Sequence, residues 1–258
     1  MPYADIPGVR IRYEDTGGSG TPVVFLHPVT GTADSWSPQL PEFVAEGYRC
    51  ITYDRRGWGK SQTDPKGEQP GYAADDLHGL ADFLGLDRFH LVGSGGGAFL
   101  ALDYAAAFPE RLRSILVTCS MGGLTADKEY TSFGSKFGRP PEHENLPAWY
   151  RELSPSYRVA NPEGVERWIE IHEASRHEPR VVQPMRNRLT LKDLAAFRVP
   201  ALLIAGGADL IAPPPRMKLM ASSIPNCQFA VIPETGHSAH WENPEVWNRI
   251  TLNFLNAH

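Results

Sequence analysis

Polar and apolar residues alternate along Gly8 to Glu14 (GVRIRYE), as in a strand with one covered face. The pattern then changes. Pro22 to His27 (PVVFLH), Arg49 to Asp54 (RCITYD), Phe89 to Val92, Ser114 to Cys119, Pro200 to Ala205 (PALLIA) and Gln228 to Ile232 are short, nearly continuous apolar runs. Such runs suit strands covered on both faces, the condition of a parallel sheet. Between them, apolar residues recur three and four apart. This spacing predicts helices from about Ser35 to Glu46 (opened by Asp34 or Ser35), over Gly71 to Leu84, from about Ala98, over Pro214 to Ser223 and over Pro244 to Leu255. Strands alternating with helices predict an α/β fold with a mostly parallel sheet and right-handed crossovers.

The rhythm fails from Met121 to about Thr190, where no apolar strand run occurs. That stretch holds prolines and many aromatics: Tyr130, Phe133, Phe137, Trp149, Tyr150, Tyr157 and Trp168. One helix is well marked. Asn161 caps it, Pro162 opens it, and Val165, Trp168, Ile169 and His172 form one face. The stretch is too long for a loop and too structured for a linker. It reads as a helical lid, residues 121–190, inserted in a core made of residues 1–120 and 191–258.

Composition narrows the classes. With 258 residues, 41% hydrophobic and 21% charged, the chain fits one large globular domain with an insertion. A net charge of −5 with no basic run excludes nucleic acid as the expected partner. No apolar stretch approaches membrane-spanning length, and MPYADIPGVR carries no signal pattern. Cys50, Cys119 and Cys227, odd in number and far apart, read as free thiols in a reducing cytoplasm rather than a disulfide or metal site. No cofactor is called for, the expected partner is a small-molecule substrate, and the pattern sets no oligomeric state.

The candidate chemistry centres on His90 to Leu102, HLVGSGGGAFLAL. An apolar strand runs straight into Gly93-Ser94-Gly95-Gly96-Gly97 and out into a small-residue helix. A strand that turns into a helix without a loop needs a sharp bend, and its flanks must lack side chains to pass closely. The layout is that of a nucleophile elbow with Gly93 and Gly97 as outer glycines. The nucleophile slot is then residue 95, which holds glycine where serine is expected. Ser94 is one place too early and should point away from the apex.

Two later strand ends add an acid and a base, Asp209 and His237. A hydroxyl nucleophile needs an imidazole to take its proton, and the imidazole needs a carboxylate to hold its tautomer. Backbone amides must face the oxyanion; here those of Val29 and Gly96 would serve. Asp209 alone would read as a turn or capping aspartate, and the histidine at the next strand end shifts it toward catalysis. His240 would pack or sit at the surface. Asp54 and Ser61 would fix the turn after their strand. Candidate substrate contacts are His27, Ser94, Trp149 and Trp168, although the tryptophans suit the core of the insertion equally.

Together, HPVTG, DRRGWGKS, the elbow, GGADLIAPP and ETGHSAHWENPE make the chain resemble the lid-bearing α/β-hydrolase family nearly end to end. The resemblance implies an eight-stranded, mostly parallel sheet with a helical lid. It also implies Asp209 as triad acid and His237 as base. The expected function is cleavage of an ester or lactone of a small, partly apolar substrate, in a form disabled by Gly95. Carbon–carbon bond hydrolysis of a ring-cleavage product is one alternative; a non-hydrolytic small-molecule binder or a His-based lyase is another. Two departures stand out: His27-Pro28 where the family has His-Gly, and Gly95 itself.

Overall fold

A computed structural model of the chain describes residues 2–62, 71–133, 139–175 and 183–258. Its strands are β1 (Tyr3–Ile6), β2 (Val9–Asp15), β3 (Pro22–Leu26), β4 (Arg49–Tyr53), β5 (Phe89–Ser94), β6 (Leu112–Thr118), β7 (Ala201–Gly206) and β8 (Gln228–Ile232). They form one eight-stranded sheet in the order β1-β2-β4-β3-β5-β6-β7-β8. The pairs β1–β2 and β2–β4 are antiparallel and the other five are parallel. Strand β1 was not foreseen; its four residues are too few to show a period.

Successive residues of a strand face opposite sides of the sheet. Val23 and Phe25 of β3 accordingly join Trp36, Phe43, Trp247 and Phe254 on one face. Val24 and Leu26 join Leu77, Leu80, Leu100 and Leu102 on the other. Both faces are covered, which is why the inner strands carry apolar runs.

The first helices are α1 (Leu40–Ala45), α2 (Ala73–Phe83) and α3 (Gly96–Ala107). The expected helix from Ser35 to Glu46 is split into a 3-10 turn, Ala33–Trp36, and α1. Pro38 and Pro41 interrupt it, since proline lacks the amide a continuous helix needs. Its cap is Thr32, which accepts from the Asp34 amide, rather than Asp34 or Ser35.

Between β6 and β7 lie α4 (Lys128–Ser132), α5 (Ala148–Glu152), α6 (Pro155–Ala160) and α7 (Pro162–Ala174), with no strand among the described residues. Phe137 lies outside those residues. Asn161 caps α7 by accepting from the Gly164 amide, and Pro162 opens it. The buried face of α7 is Val165, Trp168 and Ile171; Ile169 and His172 flank it. That stripe is aimed at Trp241 and Leu153, with which it forms a separate apolar cluster. A short α8 (Leu191–Leu194) precedes β7, and α9 (Pro214–Ser222), α10 (Ala239–Glu242) and α11 (Pro244–Leu255) follow it. Among the described residues no helix is long and apolar enough to cross a membrane.

Candidate active site

The bend between β5 and α3 is as tight as GSGGG demands. A Cβ on Gly93 would stand 2.6 Å from the Ala98 Cα, and one on Gly97 would stand 2.3 Å from the Leu26 carbonyl oxygen. Only glycine permits the helix to leave the strand this closely. At the apex, Gly95 adopts φ 52° and ψ −117°. Its amide donates to Thr118 O at 3.1 Å, and its carbonyl accepts from Ser120 Oγ at 2.7 Å. The end of β6 thus clamps the apex from the side, a role for Ser120 that no sequence pattern announces.

Asp209 and His237 meet beyond the ends of β7 and β8. His237 Nδ1 donates to Asp209 Oδ2 at 2.8 Å, while Asp209 Oδ1 accepts from the amides of Ile211 and Ala212 at 2.7 and 2.9 Å. Asp209 is 3% exposed and His237 9%. Burial by itself would lower the His237 pKa. The charge and hydrogen bond of Asp209, with the charge of Glu152, outweigh burial and the opposing Arg139, leaving it raised. The acceptor face of the ring is turned to the elbow: a Cβ on Gly95 would lie 3.5 Å from His237 Nε2.

The HPVTG loop completes the floor. Gly31 N donates to Pro28 O at 3.1 Å, fixing the peptide that carries the Val29 amide, and Trp58 Nε1 donates to Val29 O at 2.8 Å, fixing the next one. The Gly96 amide lies in the first turn of α3, where backbone donors lack helical partners. A Cβ on Gly96 would sit 3.7 Å from Val29 N and collide with the Val29 side chain at 2.4 Å, so the two expected oxyanion donors are neighbours.

Two expected substrate contacts, His27 and Ser94, are turned into the interior, while His240 packs as expected. His27 is fully buried; its Nε2 accepts from the Arg55 amide at 3.1 Å and its Nδ1 donates to Pro28 O at 2.7 Å. Burial, then Arg55, holds its pKa well below the ordinary histidine value. It braces the loop from beneath instead of facing substrate. Ser94 is also fully buried, with Oγ 3.4 Å from His240 Nδ1, because its side chain leaves the strand on the face opposite the apex. His240 is packed against Trp36 at 4.6 Å between ring centres, and burial lowers its pKa to about 3.

Trp168 is buried and donates from Nε1 to Ser238 Oγ at 3.3 Å, tying α7 to the histidine loop. Trp149 lies edge-on to Tyr150 at 5.5 Å, half-buried. Asp54 does fix its turn, accepting from the amides of Ala33 and Lys60 at 2.9 Å each, and Ser61 Oγ donates to its carbonyl. Cys119 has φ 44° and a thiol raised by burial, with Sγ 3.6 Å from Gly236 O; it is a poor nucleophile. Cys50 is buried and Cys227 half-buried, both free.

Two acids went unnoticed in the sequence. Glu242 accepts from the Gly236 amide at 2.9 Å and the Ser154 amide at 3.0 Å, joining the histidine loop to the insertion. Glu152 accepts from Thr30 Oγ1 at 2.9 Å, and its carbonyl accepts from the His237 amide at 2.7 Å. Glu242 lies five residues past His237 in ETGHSAHWENPE, where its position offered a signal; Glu152 offered none.

Comparison with known proteins bears on the fold and the family. The family described as "Alpha/beta hydrolase family" matches residues 23–250. A 2-hydroxy-6-oxo-6-phenylhexa-2,4-dienoate hydrolase from Burkholderia cepacia is 30% identical, over 95% of this chain and 91% of its own. A thermophilic esterase from Thermogutta terrifontis superposes with a TM-score of 0.79 at 27% identity, covering 100% of this chain and 99% of the other. Est816, described as an N-acyl homoserine lactone degrading enzyme, superposes with a TM-score of 0.78 at 25% identity, covering 98% and 100%. A match over nearly the whole core, around an elbow, an acid and a histidine in that order, places the chain in the alpha/beta hydrolase family.

Proposed function

We propose that the site is built to hydrolyse an ester or lactone of a small, partly apolar molecule through a nucleophile–His237–Asp209 relay. In this sequence Gly95 stands where the relay needs serine, so the chain is its disarmed form. The carrying observation is that a Cβ on Gly95 would lie 3.5 Å from His237 Nε2. A serine hydroxyl, one bond further out, falls within hydrogen-bond reach of that nitrogen. The helical segment 121–190 would act as the lid that shapes the pocket, and the free thiols suit a cytoplasmic setting.

In the serine form the chemistry is acyl transfer. The hydroxyl oxygen attacks the carbonyl carbon as its proton passes to His237 Nε2. The carbonyl electron pair moves onto oxygen, where the Val29 and Gly96 amides hold it. Collapse expels the alcohol, which takes the proton from His237 and leaves an acyl-serine. Water then attacks by the same route, releasing the acid and restoring the serine.

A second reading is carbon–carbon bond hydrolysis of a ring-cleavage product. The 30% identity to the Burkholderia cepacia dienoate hydrolase favours it.

The test is a paired assay of this chain and Gly95→Ser on p-nitrophenyl esters, small lactones and a 2-hydroxy-6-oxo-dienoate. Ester or lactone turnover appearing only with serine supports the first reading, and dienoate turnover alone supports the second. Equal activity in both forms would instead make His237 a base acting on water or substrate without a nucleophile. Inactivity in both, with tight small-molecule binding, would make the chain a binding protein.

A further inference from the structure

Two buried acids flank His237 outside the triad. Glu242 is consumed by the Gly236 and Ser154 amides. Glu152 is placed differently. It ends α5, is 7% exposed, and reaches two parts of the site at once. Its carbonyl accepts from the His237 amide at 2.7 Å, and its carboxylate accepts from Thr30 Oγ1 at 2.9 Å, one residue beyond the Val29 oxyanion donor. Gly236 secures this approach, since a Cβ there would stand 2.5 Å from Glu152 O.

The charges around this pair are few. Asp209 and Glu152 favour the imidazolium form of His237, and Arg139 opposes it. His240 lies close and is held neutral by burial. Burial pushes the Glu152 carboxyl up; His237, the Thr30 hydrogen bond and Arg151 favour its charged form, and Asp209 opposes it. Glu152 and His237 therefore each make the other's charge less costly to hold in a buried site. An imidazolium is the species that forms whenever His237 takes a proton during catalysis.

We propose that Glu152 is a positioning residue of this site, a second carboxylate that stabilises the protonated form of His237 while tying the insertion to the oxyanion loop. The inference rests on His237 being the catalytic base.

The test follows the histidine resonances of 15N-labelled protein through a pH titration, with His237 assigned by the signal lost in His237→Asn. Glu152→Gln keeps the main-chain carbonyl and an oxygen for Thr30 but removes the charge. It should move the His237 midpoint to lower pH, and Glu152→Asp should restore it toward that of the parent. An unmoved midpoint in Glu152→Gln, or one equally low in Glu152→Asp, overturns the proposal. Asp209→Asn separates the two ideas. If it lowers the midpoint while Glu152→Gln does not, only the Glu152 role fails; if neither moves it, the assignment of His237 as base falls too. Should Glu152→Gln not fold, Thr30→Val carries the test by removing the hydrogen bond that favours the charged carboxylate. A lowered His237 midpoint supports the proposal, and no change overturns it.

Discussion

His237 Nδ1 lies 2.8 Å from Asp209 Oδ2, and the Asp209 side chain is wholly shielded from solvent. The carboxylate fixes the imidazole with its proton on Nδ1 and its lone pair toward residue 95. In a Gly95→Ser background, Asp209→Asn should leave the fold intact and cut kcat by about 10⁴-fold, because the ring loses its tautomer. Steady-state kinetics on the best ester of the panel check this; a loss confined to KM would contradict the relay.

Buried histidines should make the protein sensitive to acid. Burial first, with neighbouring cations, depresses His27 well below 6.5, His90 to about 4 and His240 to about 3. Below pH about 6.5 the unfolded chain binds protons at these sites and the folded chain does not. Their contribution is fully present above that pH and is lost as pH falls toward the folded values. Each costs up to about 1.4 kcal/mol per pH unit. His237 runs the other way: its raised pKa adds stability below about 6.5 that is lost as pH rises through the folded value. Glu152, Glu242 and Asp54, whose carboxyls burial raises, run with His237, so the depressed histidines alone do not set the total; the part of the urea midpoint that falls between pH 6.5 and 5 is theirs. His90→Gln should flatten that fall.

Gly97→Ala tests the closeness of strand and helix. The added methyl would stand 2.3 Å from Leu26 O and 2.6 Å from His27 O, both main-chain atoms that cannot swing aside. Overpacking of this kind costs about 1–3 kcal/mol. Urea denaturation should show that loss with an unchanged slope, whereas a neutral substitution would mean the bend relaxes easily.

His27→Ala leaves the buried Arg55 amide without its acceptor at 3.1 Å and takes one of two donors from Pro28 O, which keeps the Gly31 amide. The orphaned amide costs about 1–3 kcal/mol. In the Gly95→Ser form the same change should lower kcat by loosening the loop that carries the Val29 amide. Full activity in the folded variant would show that His27 does not brace the oxyanion loop.

In the helical insertion the sequence marks a helix without fixing its buried face. Asn161, Pro162 and the period of Val165 and Trp168 mark α7, yet the third buried position is Ile171, not Ile169 or His172. A helix stripe can be centred on either side of its strongest residue, and only the facing partners, Leu153 and Trp241, select one. The split of the helix after Asp34 was legible in Pro38 and Pro41, whose effect is local.

Local chemistry is therefore what the amino-acid sequence determined: the apolar runs that become parallel strands, the glycines that allow the elbow, and the order of elbow, acid and histidine. Each depends on neighbours within a few residues, or on a strand end whose position follows from the sheet. Tertiary structure alone decided that Ser94 turns to His240, that His27 braces a loop, and that Glu152 reaches Thr30 across 122 residues. Those contacts join segments whose approach is set by packing on both faces of the sheet, and packing leaves no periodic trace in the chain.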